Sequence, residues 1–178
     1  MLNVLTGWFH GIRFIAEDLG EPSPDVAKLL ADSGLPGCGF WNLPLFPHSG
    51  QRLSPPQLRR ELRVLCRDSM TTPPLALWRQ EAEPEEIDFA VQYLGLNGAE
   101  GFNRGVLRGG MTSPASLFVA QMQDWLELGK GSRINTPGTG RDNWQWRLLP
   151  GELTVKLIGD IREMTRIYGR LPAKQSKT

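Results

Sequence analysis

The chain has 178 residues, 40% hydrophobic and 22% charged, with 20 Lys+Arg against 19 Asp+Glu, the profile of an ordinary folded domain rather than a disordered chain. A net charge of +1 offers no electrostatic case for nucleic acid or an anionic membrane surface as the main partner. No apolar run approaches the roughly 18–20 residues of a spanning helix, and residues 1–19 lack the basic start, apolar centre and small-residue cleavage site of a secretory leader, so the sequence reads as cytoplasmic.

Residues 2–9 read as the apolar end of a helix, and Gly11 interrupts them. Ile12 to Ala16 form a short β-prone run that delivers two acids, Glu17 and Asp18, to a loop. Ser23 is a good N-cap with Pro24 at the first helical position, Val26, Leu29 and Leu30 give one apolar face, and Gly34 stops the helix. A second strand is predicted from Cys38 to Leu43, broken by Pro44 and Pro47. Ser54 and two prolines open a short helix through Leu62, and Arg63 to Cys66 give a third strand, short enough to need neighbours on both sides. A Thr- and Pro-rich loop runs from Asp68 to Pro74. Pro84 opens a helix with Ile87, Val91 and Leu94 on one face, and Ser113-Pro114 opens a longer one carrying Phe118, Met122, Trp125 and Leu126. Ser132 to Asn143 is a Gly-, Asn- and Pro-rich loop. Leu153 to Tyr168 is the last helix, with Leu157, Ile161 and Met164 inward and Gly169 as its stop, and Lys174 to Thr178 is a polar tail. Strands alternating with helices imply an α/β fold with parallel pairing and functional groups at the carboxyl ends of the strands.

Two segments are candidates for chemistry. Glu17 sits at the end of a buried strand, where desolvation can raise a carboxyl's pKa and make it a proton donor, although such acids also cap helices or pair with arginine. The stretch Gly138 to Trp146, with the amides of Asn135 and Asn143 and the rings of Trp144 and Trp146, suits a sugar, which offers apolar C–H faces to aromatic rings and hydroxyls to amides. The same tryptophans equally serve as core anchors for a long loop. Arg133 and Arg147 either position Asp124 or Glu17 or cover the surface. Gly105 to Gly110 has neither the spacing nor the preceding strand of a dinucleotide turn, and its glycines read as a break between two helices. His10 and His48 have no partner at metal-ligand spacing, and Cys38 and Cys66 read as ordinary buried thiols, so no metal and no cofactor is implied.

Specific strings then converge. Ile15-Ala16-Glu17-Asp18-Leu19-Gly20 resembles the fifth-strand motif of the amylomaltases, the 4-α-glucanotransferases of glycoside hydrolase family 77. Gln123 to Gly129, Ser132 to Thr139 and Asn143 to Leu148 match that family's C-terminal signature in order and spacing, and Gly34-Leu35-Pro36-Gly37 and Tyr168-Gly169-Arg170 are similar to further family features. The resemblance implies a retaining (β/α)8 TIM barrel that transfers α-1,4-glucan segments to a sugar acceptor. In it an aspartate nucleophile lies on the fourth strand, an acid/base glutamate on the fifth and a stabilising aspartate in a His-Asp motif after the seventh.

By this resemblance residues 1–172 are the C-terminal half of the barrel, strands five to eight with closing helices, and 173–178 the tail. The length agrees, because a complete barrel takes roughly 200–250 residues. Glu17 is then the acid/base, and the nucleophile lies ahead of Met1. Aligned without gaps, the His-Asp pair falls on Met70-Thr71; a small insertion instead makes Asp68 the stabiliser. Asn135, Pro137, Gly138, Asn143 and Trp144 are implied to bind the α-1,4-glucan or maltooligosaccharide. The resemblance therefore implies a 4-α-glucanotransferase segment inactive alone, or one half of a split enzyme with a separate N-terminal half, or a noncatalytic maltooligosaccharide-binding remnant.

Overall fold

The computed structural model describes residues 4, 7–9, 11–17, 23–35, 37–40, 64–66 and 73–172. The chain forms two compact units, Met1–Arg67 with Pro114–Val119 and Asp68–Ser113 with Ala120–Thr178. The predicted helix over residues 54–62, the loop from Asp68 through Thr72, both histidines and the tail at 174–178 lie outside the described residues, as do residues 2, 3, 5 and 6.

The first unit is a parallel sheet of β1 (Ala16–Glu17), β2 (Gly37–Phe40), β3 (Val64–Cys66) and β4 (Leu117–Val119), in the order β1-β2-β3-β4. Ala16 pairs with Gly37 and Glu17 with Cys38; Cys38 also pairs with Val64, and Val64 with Leu117. Parallel strands in sequential order put all their carboxyl ends on one edge. The first strand is shorter and later than its β-prone run: residues 12–15 have no ladder, and only Ala16 and Glu17 find a backbone partner. Glu17 is therefore part of the strand, not of the loop after it. The three-residue β3 lies between β2 and β4, as its shortness requires.

Local chemistry accounts for α1 (Pro24–Ser33), which connects β1 to β2. Ser23 Oγ accepts from Val26 N at 3.2 Å, and Gly34 closes the helix at φ +67 with its N–H donating to Ala31 O. The predicted apolar face is present, but Val26 and Leu29 stay exposed.

Strand β4 corrects the long helix expected after Ser113-Pro114. Phe118, Met122 and Trp125 fit a helical period, yet Leu-Phe-Val is also a continuous apolar run, and the open ladder of β3 takes it as a strand. Only Met122–Trp125 remains helical.

The second unit is helical: α2 (Leu75–Glu81), α3 (Pro84–Leu94), α4 (Phe102–Met111), α5 (Met122–Trp125), a 3-10 turn at Lys130–Ser132 and α6 (Val155–Ile167). Its core contains Leu75, Leu77, Trp78, Ala90, Val106, Leu107 and Met164. Trp78 stacks on Phe102 with centroids 5.9 Å apart. Helix α3 starts at Pro84 as predicted and runs through Leu94, with Gly95 in the left-handed conformation at its end. Thr154 caps α6 through its hydroxyl, and Met164 is buried as expected.

Helix α4 overturns the reading of Gly105, Gly109 and Gly110 as a break between helices, since all three lie buried inside it. At Gly105 packing supplies the reason: a Cβ there would stand 2.5 Å from Leu96 Cδ2 and 3.3 Å from Glu100 Oε2. Close approach outweighs the helix penalty of glycine, about 1 kcal/mol per residue.

Arg108 ties this helix to its surroundings. Its Nε donates to Glu100 at 2.8 Å and its Nη2 to Leu94 O, one of the terminal carbonyls of α3. The Glu100 hydrogen bond raises the Arg108 pKa above its ordinary value. Arg170 donates at 2.9 Å to the O of Met111, the last residue of α4, and at 2.8 Å to Ser113 O just beyond it, and partial burial lowers the Arg170 pKa.

Candidate functional site

The segment following α5 is held by side chains that the sequence reading did not assign to structure. Asp124 is fully buried, and its Oδ1 accepts from Leu75 N at 2.7 Å. Leu75 is the first residue of α2, and Pro74 before it supplies no side-chain cap. The carboxylate therefore caps a helix start from 49 residues away. Asn103 Nδ2 donates to Asp124 O, and Gln123 Nε2 donates to Ser132 O at 3.0 Å. Gln123 and Asp124 thus fix both the turn before the loop and the helix after residues 68–72. The only sequence signal was a Pro-Leu helix start lacking a local capping side chain.

Beyond Ser132 the chain folds on itself. Trp144 N donates to Ile134 O at 2.7 Å, closing residues 134–144 into a compact loop. Asn143 stands inside it: its Oδ1 accepts from Thr136 N at 2.9 Å, and its Nδ2 donates to Thr139 O at 2.9 Å and approaches Thr139 Oγ1 at 3.1 Å. Thr139 Oγ1 donates to Thr136 O at 2.8 Å. Gly138, Asp142 and Trp144 take positive φ values of 78, 61 and 66. For Asp142 and Trp144 that backbone is strained, and it persists only because surrounding bonds over-determine it.

An open cleft of about 650 Å³ lies on this loop, lined among others by Asn135, Thr139, Asn143 and Trp144. The Trp144 side of it is accessible, with that residue 51% exposed, whereas Trp146 is half-buried. Arg147 donates to Trp144 O and Trp146 O, each at 2.8 Å, and Arg133 Nε donates to Asn135 O at 2.8 Å.

Of the seven residues singled out from sequence, the structure brings Asn135, Asn143 and Trp144 together around the cleft. Pro137 and Gly138 form the exposed turn between Thr136 and Thr139. Glu17 ends β1 in the other compact unit, and its side chain lies outside the described residues. Asp68 lies outside them too, as do the thiols of Cys38 and Cys66. Among the described residues no group of three or more His, Cys, Asp or Glu could hold a metal ion, and no helix is long and apolar enough to cross a membrane.

Residues 1–154 match the family model described as 4-alpha-glucanotransferase. The chain belongs to the 4-alpha-glucanotransferase family. It is 33% identical to a 4-alpha-glucanotransferase of Clostridium butyricum, over 96% of this chain and 35% of that protein. To the enzyme of Thermus thermophilus it is 34% identical, over 92% of this chain and 34% of the relative. The chain thus spans about a third of the length of the curated family members it matches. Among solved structures it is similar to an amylomaltase from Streptococcus agalactiae in complex with acarbose, with a TM-score of 0.83, 24% identity, and coverage of 96% of this chain and 34% of that one. At that identity the likeness establishes the fold, which is that of a third of an amylomaltase.

Proposed function

We propose that this chain supplies strands five to eight of a retaining 4-α-glucanotransferase barrel, with β1 to β4 as those strands, residues 1–172 as the barrel segment and 173–178 as a tail. The observation that carries the reading is the parallel sheet in order β1-β2-β3-β4 with Glu17 at the carboxyl end of its first strand, the end at which barrel enzymes hold their catalytic groups. The family match over residues 1–154 supports it.

Glu17 then protonates the glycosidic oxygen of an α-1,4-glucan as one glucan piece leaves. An aspartate of the fourth strand forms the glycosyl-enzyme, and Glu17, now a base, takes the proton from the acceptor hydroxyl that attacks it. Asp68, two residues past β3, is the stabilising carboxylate. Asn135, Pro137, Gly138, Asn143 and Trp144 grip the glucan. The fourth strand and its nucleophile come from a polypeptide segment other than these 178 residues, so the chain acts with that partner in the cytoplasm and is inactive alone. Near-neutral charge suits a neutral glucan.

Incubation with maltotriose tests this. The isolated chain is expected to release no glucose and form no longer products. Mixed or co-expressed with a polypeptide bearing strands one to four of a family member, it is expected to disproportionate maltotriose, and Glu17→Gln to abolish that activity. Clear turnover by the chain alone, or full activity of Glu17→Gln in the complemented enzyme, overturns the proposal. A noncatalytic glucan-binding role is favoured by one observation: the cleft and its exposed Trp144 lie wholly within one compact unit, so binding does not need the sheet.

A further inference from the structure

Three observations meet at Asn143. Both ends of its amide are engaged within the loop, Oδ1 by Thr136 N and Nδ2 by Thr139 O. The next residue, Trp144, holds a left-handed backbone at φ +66 that tryptophan rarely adopts, and Trp144 is half exposed beside the cleft. The backbone of Trp144 is pinned from both sides, its N–H to Ile134 O and its C=O by Arg147. An aromatic ring binds a pyranose by stacking on the apolar C–H face of the sugar, which requires a fixed, accessible ring. Ordering that ring before the ligand arrives removes part of the entropic cost of binding.

We infer that Asn143 is a positioning residue: its amide staples residues 136–139 to the chain before Trp144 and so presents the Trp144 ring as the stacking platform for a glucose unit. The inference rests on the glucan-site reading above and refines it, giving Asn143 a structural task and Trp144 the sugar contact. Thr139 belongs to the same staple, since its hydroxyl joins Thr136 O to the Asn143 amide.

The test uses the full chain and two readouts. Tryptic cleavage after Arg141, which is exposed within the loop, reports loop order without any sugar. Maltotriose-induced quenching of tryptophan fluorescence, with Trp144→Phe as the control that removes the signal of this ring, reports binding. Each lost hydrogen bond of ordinary strength changes a local equilibrium by about fivefold, so Asn143→Ala is expected to speed cleavage after Arg141 and to weaken maltotriose binding, each by roughly twentyfold. Asn143→Asp keeps the acceptor for Thr136 N but not the donor to Thr139 O, and is expected to fall between.

If Asn143→Ala leaves Arg141 cleavage within about twofold of the parent, the staple does not order the loop and the inference fails while parental sugar binding keeps the glucan reading. If cleavage accelerates but binding is unchanged, the positioning role fails. If the parent itself shows no quenching at millimolar maltotriose, the glucan reading fails first and the inference with it. Thr139→Val, which spares Asn143, is expected to reproduce a milder form of both effects, and an unchanged Thr139→Val would exclude the hydroxyl from the staple.

Discussion

Asp124 offers the clearest stability experiment, because one fully buried carboxylate satisfies a helix start whose N-cap residue, Pro74, supplies no side-chain cap. In Asp124→Ala the Leu75 N–H loses its 2.7 Å acceptor, and Leu75 is itself fully buried, so water does not replace the carboxylate. A hydrogen bond to a charged group contributes about 1.5–3 kcal/mol net, and leaving a buried donor unmet costs about 1–3 kcal/mol; these overlap in part, and about 3 kcal/mol is the expected loss. Asp124→Asn keeps an oxygen acceptor of the same shape without the charge, and about 1–1.5 kcal/mol is expected. Urea unfolding followed by tryptophan emission measures both, with Trp78 in α2 and Trp125 beside the substitution as local probes. Amide exchange at Leu75 and in the first turn of α2 is expected to accelerate in Asp124→Ala by roughly a hundredfold, the equivalent of that loss. A loss below about 1 kcal/mol for Asp124→Ala, with exchange at Leu75 unchanged, would refute the reasoning.

Arg108 and Glu100 have side chains only 27% and 18% exposed, and Arg108 also reaches the end of α3. Arg108→Lys keeps the charge but loses the fork that serves both partners, so a loss of about 1–2 kcal/mol is expected in urea unfolding, and Arg108→Ala is expected to cost more; equal stability of Arg108→Lys and the parent would show that charge alone suffices. On α6, the Asp160 and Glu163 carboxyls are held below their ordinary pKa by hydrogen bonds from Lys156 and Arg166. A depressed carboxyl contributes stability that is present above its unfolded pKa and lost as pH falls through its folded one. The Tm advantage of the parent over the double variant Asp160→Asn, Glu163→Gln is therefore expected above about pH 5 and to vanish near about pH 2, and to shrink in molar salt at neutral pH. A difference that persisted in acid would assign it to something other than these ion pairs.

What was legible in the sequence is what neighbouring residues decide. Ser23, Pro24 and Gly34 delimit α1, and Pro84 opens α3, because caps, helix-starting prolines and left-handed stops are local chemistry. Leu117–Val119 and Gly105 run against their local pattern for a shared reason: the ladder of β3 and the Leu96 side chain that decide them lie outside their own segments. The two-residue β1 likewise starts where Gly37 offers a partner, not where the β-prone run starts. At the candidate site, the grouping of Asn135, Asn143 and Trp144 could be anticipated because one short loop carries all three. The engagement of the Asn143 amide inside that loop could not, since it depends on the turn at 136–139. The Asp124 cap spans 49 residues, and the uncapped Pro74-Leu75 start does not say which distant side chain supplies it.

The central claim is that Glu17 is the acid/base of a retaining glucan transfer, and chemical rescue addresses it most directly. In the complemented enzyme, Glu17→Ala is supplied with an α-maltosyl fluoride, whose leaving group needs no protonation, and with azide. The account gives rescue by azide and an α-configured maltosyl azide, because the nucleophile still forms the glycosyl-enzyme and azide replaces the acceptor that Glu17 would have deprotonated. A β-configured azide would make Glu17 the nucleophile, and undiminished transfer from maltotriose without azide would remove it from the chemistry.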